Sequence, residues 1–450
     1  MRTLFRRLLE EREGITDHRA FLPRFKAAAC DLADLEQDPG LKALEPALST
    51  FEAWFYNGRF PQSAARRVIS HWLGYSIQQL WNPAPDGPLP APDPLFGTAP
   101  TTSRPETGAV LHEMRRTAEM AAKRARDFAM GAERGNIGPE TLGLLRDRVE
   151  NIVTQYPRVP LPTIWDEIAE AQDDCFRLIE SGRARPSQTR ELHVLATLLA
   201  FHMAKGCHDM GDPKNAMIQA RAAGVCAQQA EHPGLIALTF GLKSLITYWS
   251  GKGTEALHYA RQGMTECPGL RGTAAVWLAG LEARAAALLG DEGATRTATR
   301  RAQELREQVQ YDDLDRLGGL LTFPESKHLY YTVESEVLLG NGNTRIAALA
   351  QEAVQAFSNS EAPDWAFGDL AGAQCNLALT RLYGGELDGA AEAIRPVLDL
   401  GPAHRNRGII VSADRVGAAL LRGPARDAAA ARDLRAEIEA YSPGRPALPR

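Results

Sequence analysis

The chain has 450 residues, of which 24% are charged, and a formal net charge of −5, so no global excess of positive charge draws it to nucleic acid or to an anionic membrane. That length is enough for two or three domains with a substantial core. Six cysteines stand far apart with no CxxC pair, which fits thiols packed in a core and kept reduced better than disulfides or zinc.

In chain order, "MRTLFRRLLEER" reads as a short basic amphipathic helix ended near Gly14. It lacks the apolar stretch and cleavage site of a secretion signal, and no later run reaches a membrane span, so a cytoplasmic protein is expected, with no membrane partner. A second helix is expected around "FLPRFKAAACDLADL". Next comes "ALSTFEAWFYNGRFPQSAARRVISHWLGYSIQQL", residues 47–80. Here Ser49 is placed to cap a helix holding Phe51, Trp54 and Phe55. Asn57 and Gly58 end it, Pro61 opens the next helix, and Gly74-Tyr75-Ser76 separates a final turn ending at Leu80.

This order of elements resembles the later helices of the Cro-repressor-like, or XRE-type, helix-turn-helix, with Gly74, Ser76 and Leu80 matching its "Gly-x-Ser-x-x-x-Leu" close. The resemblance implies DNA contacts from Ser49 and Thr50 on the recognition helix, and phosphate contacts from Arg59, Arg66 and Arg67. Two departures stand against it. More residues separate Gly14 from Ser49 than a compact domain needs, and Thr50, Glu52 and Ala53 replace the Arg, Lys, Gln or Asn that pair with base edges. Residues 1–82 carry 11 basic and 10 acidic side chains, so a clear basic face is missing, and the three arginines have an alternative reading as solvated surface.

Residues 83–106 are rich in proline and read as a linker. Bridging helices are expected over 107–185. They include "HEMRRTAEMAAKRARDF", residues 112–128, whose arginines are interleaved with acids and suit a solvated face. From 186 to 442 apolar helices run repeatedly into glycine turns, at Gly211, Gly251, Gly290, Gly340, Gly384 and Gly423, spaced 39 to 50 residues apart and each followed by an alanine-rich helix. A unit of that kind cannot bury its apolar face alone, so stacked hairpins must share one core. The expected fold is all-α, a right-handed α-solenoid of about six hairpins. The sets Ala256, Gly263, Pro268 and Ala390, Val397, Pro402 follow the spacing of the second helix of a tetratricopeptide repeat, with lengthened units.

Together with "RPSQTRELHVLATLLAFHMAKGCHDMGD", "TAAVWLAGLEARAAALLGD" and "GELDGAAEAIRPVLDLGP", these features make the chain similar to the actinobacterial tetratricopeptide-repeat regulators grouped with XRE-family transcriptional regulators, among them negative regulators of streptomycete differentiation. That resemblance implies a regulator whose repeat domain senses an effector or partner. First helices of such repeats line a concave groove suited to a peptide, a small effector or a protein partner. Candidates to reach it are Lys243, Tyr248, Trp249, Trp277, Arg284 and Tyr330, with Tyr331, Asn376 and Arg381 further on; against this, an aromatic at helical spacing such as Trp249 or Trp277 is more often core. Asp312 and Asp313 either grip a basic ligand or cap a helix. His193, His202, Cys207 and His208 fall on different helical faces, so no metal or other cofactor is expected, and no catalytic motif is found. Two readings remain: a transcriptional regulator whose weak DNA-binding domain would be doubled in a homodimer to gain affinity, or a protein-interaction adaptor whose helix-turn-helix is a relic used for docking.

Overall fold

The computed structural model describes residues 2–36, 38–61, 63–85, 89, 120, 121, 124, 137–423 and 426–441. Most of the proline-rich segment and of the arginine-rich stretch 112–128 lies outside them. Among the described residues every regular element is helical, as expected for an all-α chain, apart from one isolated antiparallel bridge between Thr3 and Pro83. None of these helices is long and apolar enough to cross a membrane. The chain divides into two compact units, Met1–Glu119 with Leu398–Pro402, and Met120–Val397 with Ala403–Arg450.

The smaller unit is built from α1 (Leu4–Glu11), α2 (His18–Glu36), α3 (Leu48–Phe55), α4 (Ser63–Leu73) and α5 (Ile77–Trp81). Each helix contributes a stripe at helical spacing to one core. Leu4, Phe5, Leu8 and Leu9 come from α1, Phe21, Phe25, Ala28 and Leu32 from α2, and Phe51, Trp54 and Phe55 from α3. Aromatic rings knit these stripes, with Phe5 stacked on Trp81 at 4.6 Å and Phe21 against Phe51 at 4.8 Å. The close at Gly74 forms as its residues dictate: Gly74 takes a positive φ, and Ser76 and Gln79 make a capping box at the start of α5. Residues 37–47, with a 3-10 turn over Pro39–Ala43, separate α2 from α3. A helix-turn-helix uses a turn of about three or four residues there.

Among the described residues of the larger unit, α6 (Pro139–Gln155) and α7 (Trp165–Glu180) precede six helical hairpins. These pair α8 (Pro186–Asp209) with α9 (Pro213–Gln229), α10 (Pro233–Trp249) with α11 (Gly253–Glu266), and α12 (Thr273–Leu288) with α13 (Glu292–Glu307). After the short α14 (Asp313–Leu317), α15 (Glu325–Leu338) pairs with α16 (Thr344–Ala356), α17 (Phe367–Tyr383) precedes α18 (Leu387–Leu398), and α19 (Arg407–Arg422) pairs with α20 (Ala429–Tyr441). Gly211, Gly251, Gly290 and Gly340 make the first four turns with positive φ, where a side chain would be strained. In the fifth turn that conformation belongs to Gly385 rather than Gly384, and Gly423 ends α19 in an extended conformation.

The two helices of a hairpin bury different things. Second helices show a narrow inner stripe of small residues, such as Ala216, Ala220, Ala223 and Ala227 on α9, or Ala256, Ala260 and Gly263 on α11. First helices bury more of their surface: in α12 Leu288 is the one residue not buried, whereas α15 and α19 keep an exposed side at Glu325, Asp414 and Arg422. Neighbouring first helices pack in succession, α10 on α12, α12 on α15, α15 on α17 and α17 on α19. The succession then closes on itself, because α19 also touches α8 and α10.

Candidate functional site

Inside that closed succession the inner faces meet around an ionic and aromatic cluster. The Glu334 carboxylate, on α15 and 1% exposed, sits between two guanidinium groups. Arg415 of α19 donates to its Oε1 at 2.8 Å, and Arg284 of α12 pairs with Oε2 at 2.7 Å. The Tyr248 hydroxyl donates to Oε1 at 2.7 Å. Burial by itself would raise the carboxyl's pKa, but the two arginines and the tyrosine outweigh it and hold the group below its ordinary value. Arg284 lies 4.0 Å from the ring centre of Tyr331, 4.3 Å from that of Tyr248 and 5.1 Å from that of Trp249. These cation–π contacts help to hold a charge that is itself 1% exposed.

Beside the cluster is a cavity of about 90 Å³. Lys205, His208 and Asp209 reach it from α8, Trp249 from α10, Arg284 from α12, and Lys327, Tyr330 and Tyr331 from α15. Gly368, Asp369 and Gly372 of α17, Asn406, and Gly408 and Ser412 of α19 complete the wall with Tyr156. Its charges are paired in sequence-local or cross-helix sets. Lys205 donates to Asp209 at 2.5 Å, one turn further along α8, and the Tyr156 hydroxyl donates to the same carboxylate at 2.8 Å. Lys327 lies 3.1 Å from Asp369. Burial would lower the pKa of Lys327, and the Asp369 carboxylate reverses this and raises it. His208 is driven down to about 3, first by burial and further by the fields of Lys205, Arg407 and Arg284 against the opposing pull of Asp209, so its imidazole is neutral.

Of the residues singled out from sequence for a groove, Trp249, Arg284, Tyr330 and Tyr331 border this cavity, and Tyr248 lies just behind them against Arg284. The others go elsewhere. Lys243 turns outward toward α9, its Nζ beside Gly224 and over the Phe240 ring. Trp277 is core, wedged against Gly241 with its Nε1 donating to the Tyr331 hydroxyl at 3.4 Å. Arg381 pairs with Glu386 at the fifth hairpin turn, and Asn376 is buried within α17. Asp312 caps α14 through the backbone N–H of Asp315, and Asp313 bonds His232 at 3.3 Å, so both acids serve the local fold. Sequence reading overlooked Lys205, Asp209, Glu334, Asp369 and Arg415. Charged residues inside otherwise apolar helices, Glu334 and Glu336 in "LYYTVESEVLL" and Glu282 and Arg284 in "AGLEARAAALL", were the available signal, since a buried charge needs a partner.

In the smaller unit the expected cap at Ser49 is corrected, and the other residues expected to contact DNA are placed as follows. Ser49 does not cap α3, because the helix starts at Leu48 with Ala47 in the cap position, where no side-chain acceptor exists. The exposed side of α3 presents Leu48, Ser49 and Glu52, with Thr50 half-buried. Arg66 is buried, its Nε donating to the Pro61 carbonyl at 2.6 Å and its guanidinium over the Phe60 ring. Arg67 reaches Asp38 at 3.2 Å with its side chain 8% exposed. Arg59 alone of the three is exposed. The arginines of α1 are likewise tied to neighbours, Arg6 to Glu10 and Arg7 to Glu11.

The thiols do not form a reactive or metal-binding set. Burial pushes Cys175 and Cys375 up to about 12 and Cys207 up to about 11, while Cys30 is exposed rather than in the core. His202 is buried with its Nδ1–H donating to the Leu198 carbonyl at 2.7 Å, and no cluster of metal-ligating side chains occurs among the described residues. Comparison of the chain with protein-family models, with curated proteins and with solved structures finds no match.

Proposed function

We propose that this chain is a non-enzymatic regulator that acts by binding, through a tetratricopeptide-like array of hairpins wound closed around a central cleft. In this reading the smaller unit docks another protein chain, as a former helix-turn-helix, and does not read DNA. The observation that carries it is the outward face of α3 together with the engagement of the arginines after it: Leu48, Ser49 and Glu52 face outward, and Arg66 and Arg67 are spent on Pro61 and Asp38. A DNA-reading helix presents donors to base edges and is flanked by cations available to phosphate. The wall of the cleft supports the non-enzymatic part, since its lysines and carboxylates are held in pairs rather than set as acid, base or nucleophile.

The experiment is a mobility-shift and genome-wide footprinting assay with the full chain at low salt, alongside affinity capture of the tagged full chain from its own cells. The expected outcome is no sequence preference on DNA, and recovery of one stoichiometric protein partner that Leu48→Asp weakens. A reproducible footprint at defined sequences would replace this reading with the XRE-type transcriptional regulator suggested by the resemblance. The capped close at Ser76 favours that second reading, because it is the part of the resemblance whose local geometry is intact. A cytoplasmic location and a homodimer belong to either version.

A further inference from the structure

The cavity wall carries three cations, Lys205, Arg284 and Lys327, against two carboxylates, Asp209 and Asp369. Including the neighbouring Glu334 and Arg415 leaves the same excess of one positive charge, with His208 neutral. One cation more than the nearby carboxylates neutralise favours an anion joining the cavity. Two further observations point the same way. Arg284 has no hydrogen-bond acceptor at Nε, although that atom is fully enclosed. The N-terminus of α17, a helix of 17 residues, borders the cavity at Phe367, Gly368 and Asp369; the Phe367 N–H donates to the Pro157 carbonyl at 3.2 Å, and Ala366 in the cap position supplies no side-chain acceptor for the amides of Gly368 and Asp369. An ammonium has three donors, and Lys327 has Asp369 as its ion-pair partner, leaving donors for a ligand.

We propose that this cavity binds a small free anion, the carboxylate or phosphate group of a metabolite-sized acid, received by Lys327, Arg284 and the amides at the start of α17. This rests on the binding role proposed above for the larger unit and names the chemistry of its ligand. The volume of about 90 Å³ is several times the ~10–15 Å³ that a single water needs, and suits an oxyanion head with a few carbons. Glycines at 372 and 408 let the wall residues Tyr330 and Trp249 close against the backbone of α17 and α19. Charge-assisted hydrogen bonds from lysine, guanidinium and helix amides are the strong ones, and together they discriminate an oxyanion from chloride by geometry.

The test uses the full chain with inorganic phosphate, sulfate, acetate and succinate as probes, each against sodium chloride at equal ionic strength. The expected result is a saturable rise of a few degrees in the unfolding temperature with phosphate or with a carboxylate, which tells the two sources apart. Calorimetric titration of Lys327→Gln is expected to give at least about tenfold weaker binding, and of Ser412→Leu, which fills the cavity and changes no charge, no binding. Hydrogen exchange on the unaltered chain reads the site without any variant: the amides of Gly368 and Asp369 slow when the anion is present. No saturable shift with any probe, equal shifts in both variants, or slowed exchange only elsewhere overturns the proposal. If partner capture succeeds while no anion binds, the ligand chemistry fails and docking by the smaller unit survives; if capture fails while an anion binds, docking fails and the ligand chemistry of the larger unit survives.

Discussion

Glu334 is one carboxylate shared by two arginines and a tyrosine from three other helices, and it is the least dispensable charge in the larger unit. Removing it alone would leave Arg284 and Arg415 buried without a counter-charge. Glu334→Ala is therefore expected to lower stability by about 3–5 kcal/mol in urea unfolding, whereas replacing Arg284, Glu334 and Arg415 together by apolar residues of similar volume is expected to cost far less. The buried histidines give a second test. Burial drives His202 down to about 4, and burial with nearby cations drives His208 to about 3, both below the ordinary 6.5. The unfolded chain therefore takes up their protons first as the pH falls. Their contribution to stability is present above about pH 6.5 and is lost progressively below it, with a slope near 1.4 kcal/mol per pH unit for each. Burial, with the field of Arg306, drives His328 to about 4 as well, so unfolding midpoints at pH 7 and pH 5 should differ accordingly and His202→Phe should remove about a third of that difference. Arg284 and Tyr330 were recognisable in the sequence as residues with binding chemistry. Their partners were not, because Glu334 lies 50 residues from Arg284 and nothing local couples the two.

Hairpins are the element that the sequence describes best, since an apolar helix, a glycine turn and an alanine-rich helix are each set by neighbours within a few residues. Gly241 shows what that local pattern leaves open. It sits inside α10 with helical φ and ψ, where propensity alone would favour alanine, yet a Cβ there would come within 2.4 Å of the Trp277 ring on α12. Gly241→Ala is expected to destabilise by about 1–3 kcal/mol through overpacking. Gly143 in α6 is the matching control, with nothing within 4 Å of an added Cβ, and Gly143→Ala is expected to stabilise by about 0.5–1 kcal/mol. Urea midpoints of the two variants, moving in opposite directions, separate helix propensity from helix contact. The α3 helix makes the complementary point: its aromatic stripe was legible, but its start was misplaced by two residues, because Ala47 already provides the extended entry and no capping side chain is needed.

At the scale of the molecule, closure of the first helices is what converts a row of hairpins into a unit with an interior. An open row loses only one neighbour interface when its last hairpin is removed, so a chain ending before α19 would then stay largely cooperative. Here α19 supplies Arg415 to Glu334 and packs near Trp249, so that truncation is expected to expose the inner cluster, bind a hydrophobic dye and broaden the urea transition. The helical periodicity, the turn glycines, the small-residue stripes and the lack of a basic face were all determined by the sequence itself, because each depends on residues within a few positions of one another or on simple composition. Which first-helix side chains meet around the cavity, and which arginines of the smaller unit are spent internally, were decided only by tertiary structure. Those outcomes depend on contacts between residues tens to more than a hundred positions apart, and one face of a helix looks like another until its neighbour is in place.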